Sequence, residues 1–89
     1  MKGLSEEEVV EVGQVTHFFR GISVAVVELS APLAVGDNIL IRGATTNFEQ
    51  TVESMQIEHE NVVKAEAGQS IGLKVERRVR GSDIVYKKL

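Results

Sequence analysis

The residues of this chain that could do chemistry are few, and one catalytic pattern occurs among them. Gly68-Gln69-Ser70-Ile71-Gly72 has the Gly-x-Ser-x-Gly spacing of a nucleophile elbow. That motif works only on a sharp turn from a strand into a helix, with an oxyanion hole and with a histidine and an acid later in the chain. Here the residues after Ser70 alternate as in a strand, and both histidines precede it. We therefore interpret the motif as a glycine-bracketed start of a strand, and we do not expect Ser70 to be a nucleophile.

The two histidines, His17 and His59, are the remaining candidates for acid–base or metal chemistry, because the chain has no cysteine. A zinc site needs about three or four converging ligands. In the run Glu58-His59-Glu60, neighbouring side chains on a strand would point to opposite faces and could not converge. We predict no catalytic residue, no metal ion and no cofactor, and we expect both histidines to be partly exposed strand residues. The chain is accordingly not expected to be an enzyme.

Positive charge is concentrated at the end of the chain. The net charge of the whole chain is −3, yet residues 74–89 carry six Lys and Arg against two acids. Basic residues clustered in this way could hold phosphate, and such binding would weaken with salt. The sequence pI of about 5.3 is far below the value above about 9 that is typical of dedicated nucleic-acid domains. A nucleic-acid contact and a solvated basic turn therefore both stay open. The candidate contact residues are Lys74, Arg77, Arg78, Arg80 and Lys87.

The length of 89 residues fits one domain, because two would each be too short to bury a core unaided. We divide the chain into an acidic tail over residues 1–8 and a single domain over residues 9–89. No run approaches the roughly 18–20 apolar residues of a transmembrane helix. The acidic start lacks the basic flank and apolar centre of a signal peptide, and cysteine is absent. These features predict a cytoplasmic protein without a membrane contact.

β-Branched residues decide the predicted fold class. Valine, isoleucine and threonine make up 24 of the 89 residues, whereas leucine and alanine number six each. β-Branched side chains fit a pleated surface and are mildly poor helix formers. No stretch has apolar residues at helical spacing after a capping residue, so the chain is predicted to be all-β. Glycine, asparagine, aspartate and proline divide it into predicted strands at Val9–Phe19, Ser23–Leu29, Asn38–Arg42, Phe48–His59, Ile71–Val75 and Ile84–Lys87.

Turn chemistry is predicted at the ends of several of these strands. At Arg20-Gly21, the glycine is expected to supply the positive φ of a tight hairpin. Val35-Gly36-Asp37 and Gly81-Ser82-Asp83 each place an aspartate before an apolar strand, where its carboxylate can bond the backbone two residues on. The apolar parity of the fourth strand changes near Glu53-Ser54, which predicts a bulge there.

Closure of the sheet is predicted because a flat, open sheet of short strands would expose long edges. We therefore expect a closed six-stranded antiparallel β-barrel. The clearest pattern is that Ile71 and Leu73 alternate with Gly72 and Lys74, which indicates a half-buried strand. The predicted core residues are Val15, Val27, Ile39, Ile41, Val52, Met55, Ile71, Leu73 and Val75.

Several runs, taken in order, resemble the second domain of translational GTPases of the elongation factor Tu type. The runs are Val12-Gly13-x-Val15, Val24-Ala25-Val26-Val27-Glu28-Leu29, Leu33-x-Val35-Gly36-Asp37-x-Ile39, Gln50-x-Val52-x-Ser54-Met55, Ala67-Gly68-x-x-x-Gly72-Leu73 and the closing glycine–aspartate turn. The resemblance covers about Val9 to Lys87. The chain is also similar to small stand-alone elongation-factor-like proteins and to a barrel appended to some collagenase-like peptidases. One departure is Ser82, because the family usually has Gly directly before Asp.

The resemblance implies a barrel of the translation-factor domain 2 type that contacts RNA or a translation component without catalysis. GTP binding is not expected from this chain alone. A phosphate-binding loop needs Gly-x-x-x-x-Gly-Lys followed by Ser or Thr, and Leu73 follows the nearest glycine pair, Gly68 and Gly72. No asparagine precedes a lysine, so a guanine-reading segment is missing as well. The alternative is a protein-interaction module that docks on another polypeptide, such as a peptidase.

Overall fold

The computed structural model of the protein describes residues 8–89, and these residues form ten β-strands. The predicted acidic tail over residues 1–8 therefore lies outside the described residues, apart from Glu8. The strands are β1 (Val9–Phe19), β2 (Val24–Leu29), β3 (Leu33–Ala34), β4 (Asn38–Arg42), β5 (Asn47–Thr51), β6 (Met55–Ile57), β7 (Glu60–Val62), β8 (Lys64–Ala65), β9 (Ser70–Lys74) and β10 (Ile84–Lys88).

The all-β prediction is confirmed, since residues 8–89 contain strands and turns without a helix. It follows that this part of the chain has no helix long and apolar enough to cross a membrane. The longer strands lie where apolar and polar residues alternate, and β1 and β4 have the predicted bounds. The predicted strand Phe48–His59 is divided into β5 and β6 at residues 52–54, where a bulge was expected. The short strands β3, β7 and β8 are not predicted from the sequence, because two or three residues show no period.

Eight of the strands form one antiparallel sheet in the order β5-β4-β10-β1-β2-β9-β6-β7, while β3 pairs with β8. The closed six-stranded barrel is not confirmed, because β5 and β7 end the hydrogen-bonded ladder. Only residues 52–54 separate β5 from β6, although the two strands lie far apart in the sheet order. Because such a connection spans at most about 14 Å, the sheet must curl strongly. Two register shifts in β1, at Glu11/Gly13 and Val15/His17, help a long strand to bend in this way.

The core lies on the concave side of this curled sheet, where alternate residues of the strands meet. All nine predicted core residues are buried, with Val15, Val27 and Leu73 fully covered. The strand β9 shows the alternation most plainly, because Ile71 and Leu73 are buried while its neighbours are not. Further buried apolar residues that the prediction did not include are Val12, Ala25, Leu29, Leu33, Leu40, Ala65, Val79 and Val85.

The hairpin between β1 and β2 differs from the predicted turn. Gly21 does not have a positive φ; the left-handed residue is Ser23, with φ of 56°. The reason is the length of the loop, because Phe19 pairs with Val24 and residues 20–23 form the connection. The amide of Ile22 donates to the carbonyl of Phe19 at 3.3 Å, and the residue after this turn takes the left-handed conformation.

The two aspartate turns, Ala34–Asp37 and Arg80–Asp83, have the same construction. In each, the third residue has a positive φ, 98° at Gly36 and 82° at Ser82. In each, the aspartate amide donates to the carbonyl of the first residue at 3.1 Å. The carboxylate accepts from the amide of that first residue, at 2.9 and 2.8 Å respectively. The expectation of a bond two residues on is therefore wrong, because the left-handed third residue brings the carboxylate back over the start of the turn.

Candidate functional site

Four of the five predicted contact residues lie on residues 74–80, which comprise the last residue of β9 and most of the connection to β10; we call this stretch the basic segment. Lys74, Arg77, Arg78 and Arg80 are all exposed there. Between them, Val75 and Val79 are buried, with 2% and 1% of their surface exposed. The amide of Val75 also donates to the carbonyl of Ser23 at 3.0 Å. The two buried valines thus anchor the segment, while its basic side chains are exposed.

Gln50 on β5 also holds the backbone of the basic segment. Its side chain is buried, and its Nε2 donates to the carbonyl of Lys74 at 3.0 Å. Its Oε1 accepts from the amide of Glu76 at 2.8 Å. The side-chain amide thus supplies one donor and one acceptor, as the backbone of a neighbouring strand would. Gln50 was not predicted as a functional residue; its signal is a polar residue on the inward-facing side of a strand.

The basic side chains differ in how far they are already engaged. Arg80 donates from Nε to Oγ1 of Thr45 at 3.0 Å. In contrast, Lys74, Arg77 and Arg78 form no ion pair with any residue in the range 8–89. These three residues therefore have charge available for an anionic partner.

Lys87, the fifth predicted residue, lies on β10 and not on the basic segment. Its Nζ lies 3.6 Å from Oδ2 of Asp37. Four of the predicted residues thus lie on one exposed stretch of chain, and the fifth lies beside an acid on another part of the sheet.

A second candidate surface is a groove of about 250 Å³ on the outer, convex face of the sheet. We call it the outer groove. Its lining residues come from β1, β2, β6, β9 and the turns after β1 and β6. They are Phe19, Ile22, Val24, Val26, Gln56, Glu58, His59, Ser70, Ile71 and Gly72. Gly72 lies opposite Val26 on one side and Gln56 on the other. Because glycine has no side chain, the sheet surface is lowest at this point.

Two of the residues whose types could do chemistry, Ser70 and His59, line this groove. Ser70 is the first residue of β9, so a strand and not a helix follows Gly68. His59 and Glu58 form the tight turn between β6 and β7, with φ of 69° and 50°. The expectation that Glu58 and His59 point to opposite faces of a strand is therefore wrong, because both line the groove. No hydrogen bond joins Ser70 to His59 within the described chain.

Aromatic stacking fixes one wall of the groove. His17 and Phe19 both lie on β1, and their ring centroids are 4.4 Å apart with an interplanar angle of 68°. Such edge-to-face contacts are typical of aromatic pairs and hold Phe19 in place. Both histidines are exposed; His17 lies on a strand as expected, whereas His59 lies in a turn. Over residues 8–89, His, Cys, Asp and Glu residues form no group of three that could hold a metal ion.

Comparison with known proteins identifies similar sequences in proteases. The chain is 45% identical over 78 residues to an uncharacterized protease of Methanocaldococcus jannaschii, a match that covers 86% of this chain and 19% of that protein. It is 40% identical over 78 residues to a collagenase of Porphyromonas gingivalis, covering 85% of this chain and 22% of the collagenase. The chain thus spans about a fifth of the length of the curated relatives it matches. No protein-family model matches it.

Comparison with solved structures identifies the same fold in a peptidase domain. The C-terminal domain of a Geobacillus thermoleovorans protein described as a U32 peptidase superposes with a TM-score of 0.82 at 22% identity, over 88% of this chain and 91% of that one. Its selenomethionine variant gives a TM-score of 0.81, over 84% of this chain and 95% of that one. The expected similarity to a barrel appended to peptidases is therefore supported. The resemblance to elongation factor Tu is not confirmed.

Proposed function

We propose that this chain is a non-catalytic docking module that associates with the catalytic part of a peptidase. The observation that carries the proposal is the match of 78 residues, at 45% identity, to a stretch that makes up 19% of a protease. The match includes most of this chain, so what the two proteins share is a domain-sized unit and not a short motif. A domain of this kind is expected to act through contacts with the rest of such a protein. The comparisons favour this alternative over a translation component.

The absence of catalysis in the isolated chain is part of the proposal. Ser70 and His59 line one groove, but a nucleophilic serine needs a hydrogen-bonded base and an oxyanion hole. The strand that follows Ser70 does not provide the helix amino end on which a nucleophile elbow depends. We expect the purified chain not to hydrolyse gelatin, and the Ser70→Ala variant to behave like the parent. Hydrolysis that is lost in Ser70→Ala would contradict the non-catalytic proposal.

The docking proposal is tested with a protease from which the matching segment has been removed. The M. jannaschii protease is produced without its matching 78 residues, and binding of the present chain is measured by isothermal titration calorimetry. We expect a dissociation constant of about 1–10 µM, equivalent to roughly 7–8 kcal/mol. The protease's own segment, produced separately, is the positive control. If that segment binds the truncated protease and the present chain does not, the docking proposal fails.

A second candidate function, contact with RNA, rests on the basic segment. Lys74, Arg77 and Arg78 are exposed and have no acidic partner within residues 8–89. Arginine side chains can bind phosphate through two parallel hydrogen bonds. The acidic balance of the whole chain argues against high affinity, because it repels a phosphate backbone. RNA contact by these residues therefore stays a prediction, and its test is given below.

A further inference from the structure

The outer groove has a floor that a side chain would fill. Gly72 is a strand residue without a positive φ, so its backbone conformation does not require glycine. A Cβ built on Gly72 would lie 3.4 Å from Cγ1 of Val24 and 3.9 Å from the carbonyl oxygen of Gln56. These are ordinary contacts, so neither backbone conformation nor close packing explains the glycine. The absence of a side chain at Gly72 leaves open space within the groove that this residue lines.

Exposed apolar side chains stand at one end of the groove. Phe19 has 47% of its surface exposed and Ile22 has 61%, which is high for large apolar residues. Both lie on the hairpin between β1 and β2, and the half-buried Val24 and Val26 continue the apolar surface along β2. Contiguous exposed apolar surface of this kind is characteristic of binding sites, and rigid aromatic residues commonly anchor them.

Unpaired charges of opposite sign lie at the two ends. Lys74 continues the outer face of β9 two residues beyond Gly72, next to Val24. At the other end, Glu28 lies opposite Ser70, and Glu58 lines the groove itself. Among residues 8–89, none of these three charged side chains forms an ion pair. The groove is therefore apolar in the middle, positive at the hairpin end and negative at the turn end.

The turn at the negative end has an unfavourable backbone conformation. Glu58 and His59 both have a positive φ, in a tight turn where asparagine and glycine are preferred. Residues in the left-handed region cost of order 1 kcal/mol or more each, and such outliers cluster at binding sites. This conformation places both side chains on the wall of the groove. It is a second observation, independent of the shape, that points to the same surface.

We propose that the outer groove binds an extended, mainly apolar segment of the partner polypeptide, with an acidic residue towards Lys74 and a basic residue towards Glu58. This proposal rests on the proposed docking function and names its surface and its ligand. An extended segment fits because the groove follows β9, and alternate side chains of such a segment would face Gly72 and the valines. The charged side chains without ion-pair partners at the two ends of the groove favour a ligand that carries the opposite charge at each end.

The direct probe is the peptide acetyl-Asp-Val-Ser-Val-Ser-Val-Lys-amide. It is titrated into the ¹⁵N-labelled chain, and binding is measured from the changes in backbone amide NMR shifts. We expect saturable shifts at Gly72, Val26 and Gln56.

Two variants test the site: Gly72→Val fills the groove, and Ile22→Ser removes an exposed anchor without touching the core. Each should weaken peptide binding by at least about tenfold. The matched control is Val63→Ser, which removes an exposed valine (77% exposed) outside the groove and should leave binding unchanged. The same peptide with serine in place of valine should not bind.

The same variants are then titrated against the truncated protease. Loss of binding in Gly72→Val and Ile22→Ser, but not in Val63→Ser, supports the groove as the docking surface. Unchanged binding of both groove variants overturns this inference and leaves the docking function intact. Peptide shifts in the groove, with no binding of the parent chain to the protease, support the groove as a polypeptide site while the docking function fails. Absence of peptide shifts at Gly72, or a dimer of the chain that buries these residues, overturns the inference.

Discussion

Ser82 holds the backbone position that Gly36 holds in the other aspartate turn. Both residues have a positive φ, and both turns close through the same pair of hydrogen bonds. A left-handed conformation costs a non-glycine residue roughly 1–2 kcal/mol. The turn Arg80–Asp83 therefore carries conformational strain that the turn Ala34–Asp37 does not. The departure from the glycine expected by resemblance changes the energy of the turn and not its form.

Ser82→Gly is expected to stabilise the protein. Glycine relieves the strain but also gives the unfolded chain more freedom, so the free energy of unfolding should rise by about 0.5–1 kcal/mol. The matched substitution is Gly36→Ser, where an added Cβ would meet nothing within 4 Å and only the conformational cost remains. It should lower the free energy of unfolding by a similar amount. Urea unfolding of both variants measures the effect, and a Ser82→Gly variant no more stable than the parent would contradict the argument.

At the scale of the elements, a side chain on β5, that of Gln50, links this end strand of the sheet to the end of β9. The strands β5 and β9 are not joined by main-chain pairing, yet Gln50 on β5 bonds the backbone at Lys74 and at Glu76. Thr46, Gln50 and Asp83 are the polar residues buried among residues 8–89. Because a buried polar group must find partners, the position of Gln50 ties these two parts of the sheet together.

Gln50→Ala should loosen the basic segment. The amide of Glu76 would lose its acceptor, and a hydrogen bond lost in a partly buried place costs about 1–3 kcal/mol. Amide hydrogen exchange should show faster exchange at Glu76 and its neighbours, with little change at Ile71. The control is Gln56→Ala, because the Gln56 side chain is exposed and, among residues 8–89, bonds only to the side chain of Asn61, at 3.1 Å. Equal protection of Glu76 in parent and Gln50→Ala would show that the Gln50 side chain does not hold the segment.

Elements could be predicted from the sequence where a period extends over several residues. The alternation in β9 and the valine- and isoleucine-rich stretches of β1 and β4 gave correct strands. The strands β3, β7 and β8 form because distant residues meet them, as Leu33 meets Ala65, and such pairing leaves no local period. The same holds for the turn at Glu58-His59, since it lacks the asparagine–glycine or aspartate–glycine pair that usually marks such a turn.

The two candidate surfaces also differ in whether they could be predicted from the sequence. The basic segment could be predicted, because its charges are close together in sequence. The outer groove could not, because its lining comes from strands that become neighbours only through the sheet order. Its sequence signals were Phe19 and Ile22, two large apolar residues beside a predicted turn. Lys87 was grouped with the arginines by its place in the chain, whereas in the fold it lies on β10 and its Nζ pairs with Asp37.

At the scale of the whole molecule, one core supports both surfaces. Leu73 is fully buried and lies opposite Ala25 on β2 and Met55 on β6. Its neighbours on β9, Gly72 and Lys74, form part of the groove and the first residue of the basic segment. The packing of one strand therefore determines the position of residues on both candidate surfaces.

Leu73→Ala should lower the free energy of unfolding by roughly 2–5 kcal/mol, because it leaves a cavity in a fully packed site. The small size of the domain makes this a large part of its total stability. Val63→Ala is the control, since that side chain is 77% exposed and should change stability by less than about 0.5 kcal/mol. Chemical denaturation followed by circular dichroism measures both. A change below about 0.5 kcal/mol for Leu73→Ala would remove it from the core.

Basic residues lie both on the basic segment and on β10, so the RNA prediction can be tested by comparing substitutions at the two places. If RNA binds the basic segment, replacing Arg77, Arg78 and Arg80 by Glu should abolish binding, because each arginine would change from attracting to repelling phosphate. The fold should persist, since exposed charges contribute little to stability. Binding by the parent should fall with salt, with a log–log slope of about −0.7 for each phosphate contact to single-stranded RNA.

Lys87→Gln provides the comparison within the same chain. It removes one of the predicted contact residues, but one that lies on β10 and whose Nζ pairs with Asp37 at 3.6 Å. RNA affinity is measured by fluorescence anisotropy with a labelled single-stranded RNA at low ionic strength. The dissociation constant of Lys87→Gln should lie within about twofold of the parent value, which is well below the tenfold change that corresponds to about 1.4 kcal/mol of binding free energy. The arginine variant should show no binding. If the arginine variant binds as tightly as the parent, or the parent shows no salt-dependent binding, RNA is not the partner of this surface. The basic segment is then a solvated turn that offsets the acidity of the rest of the chain.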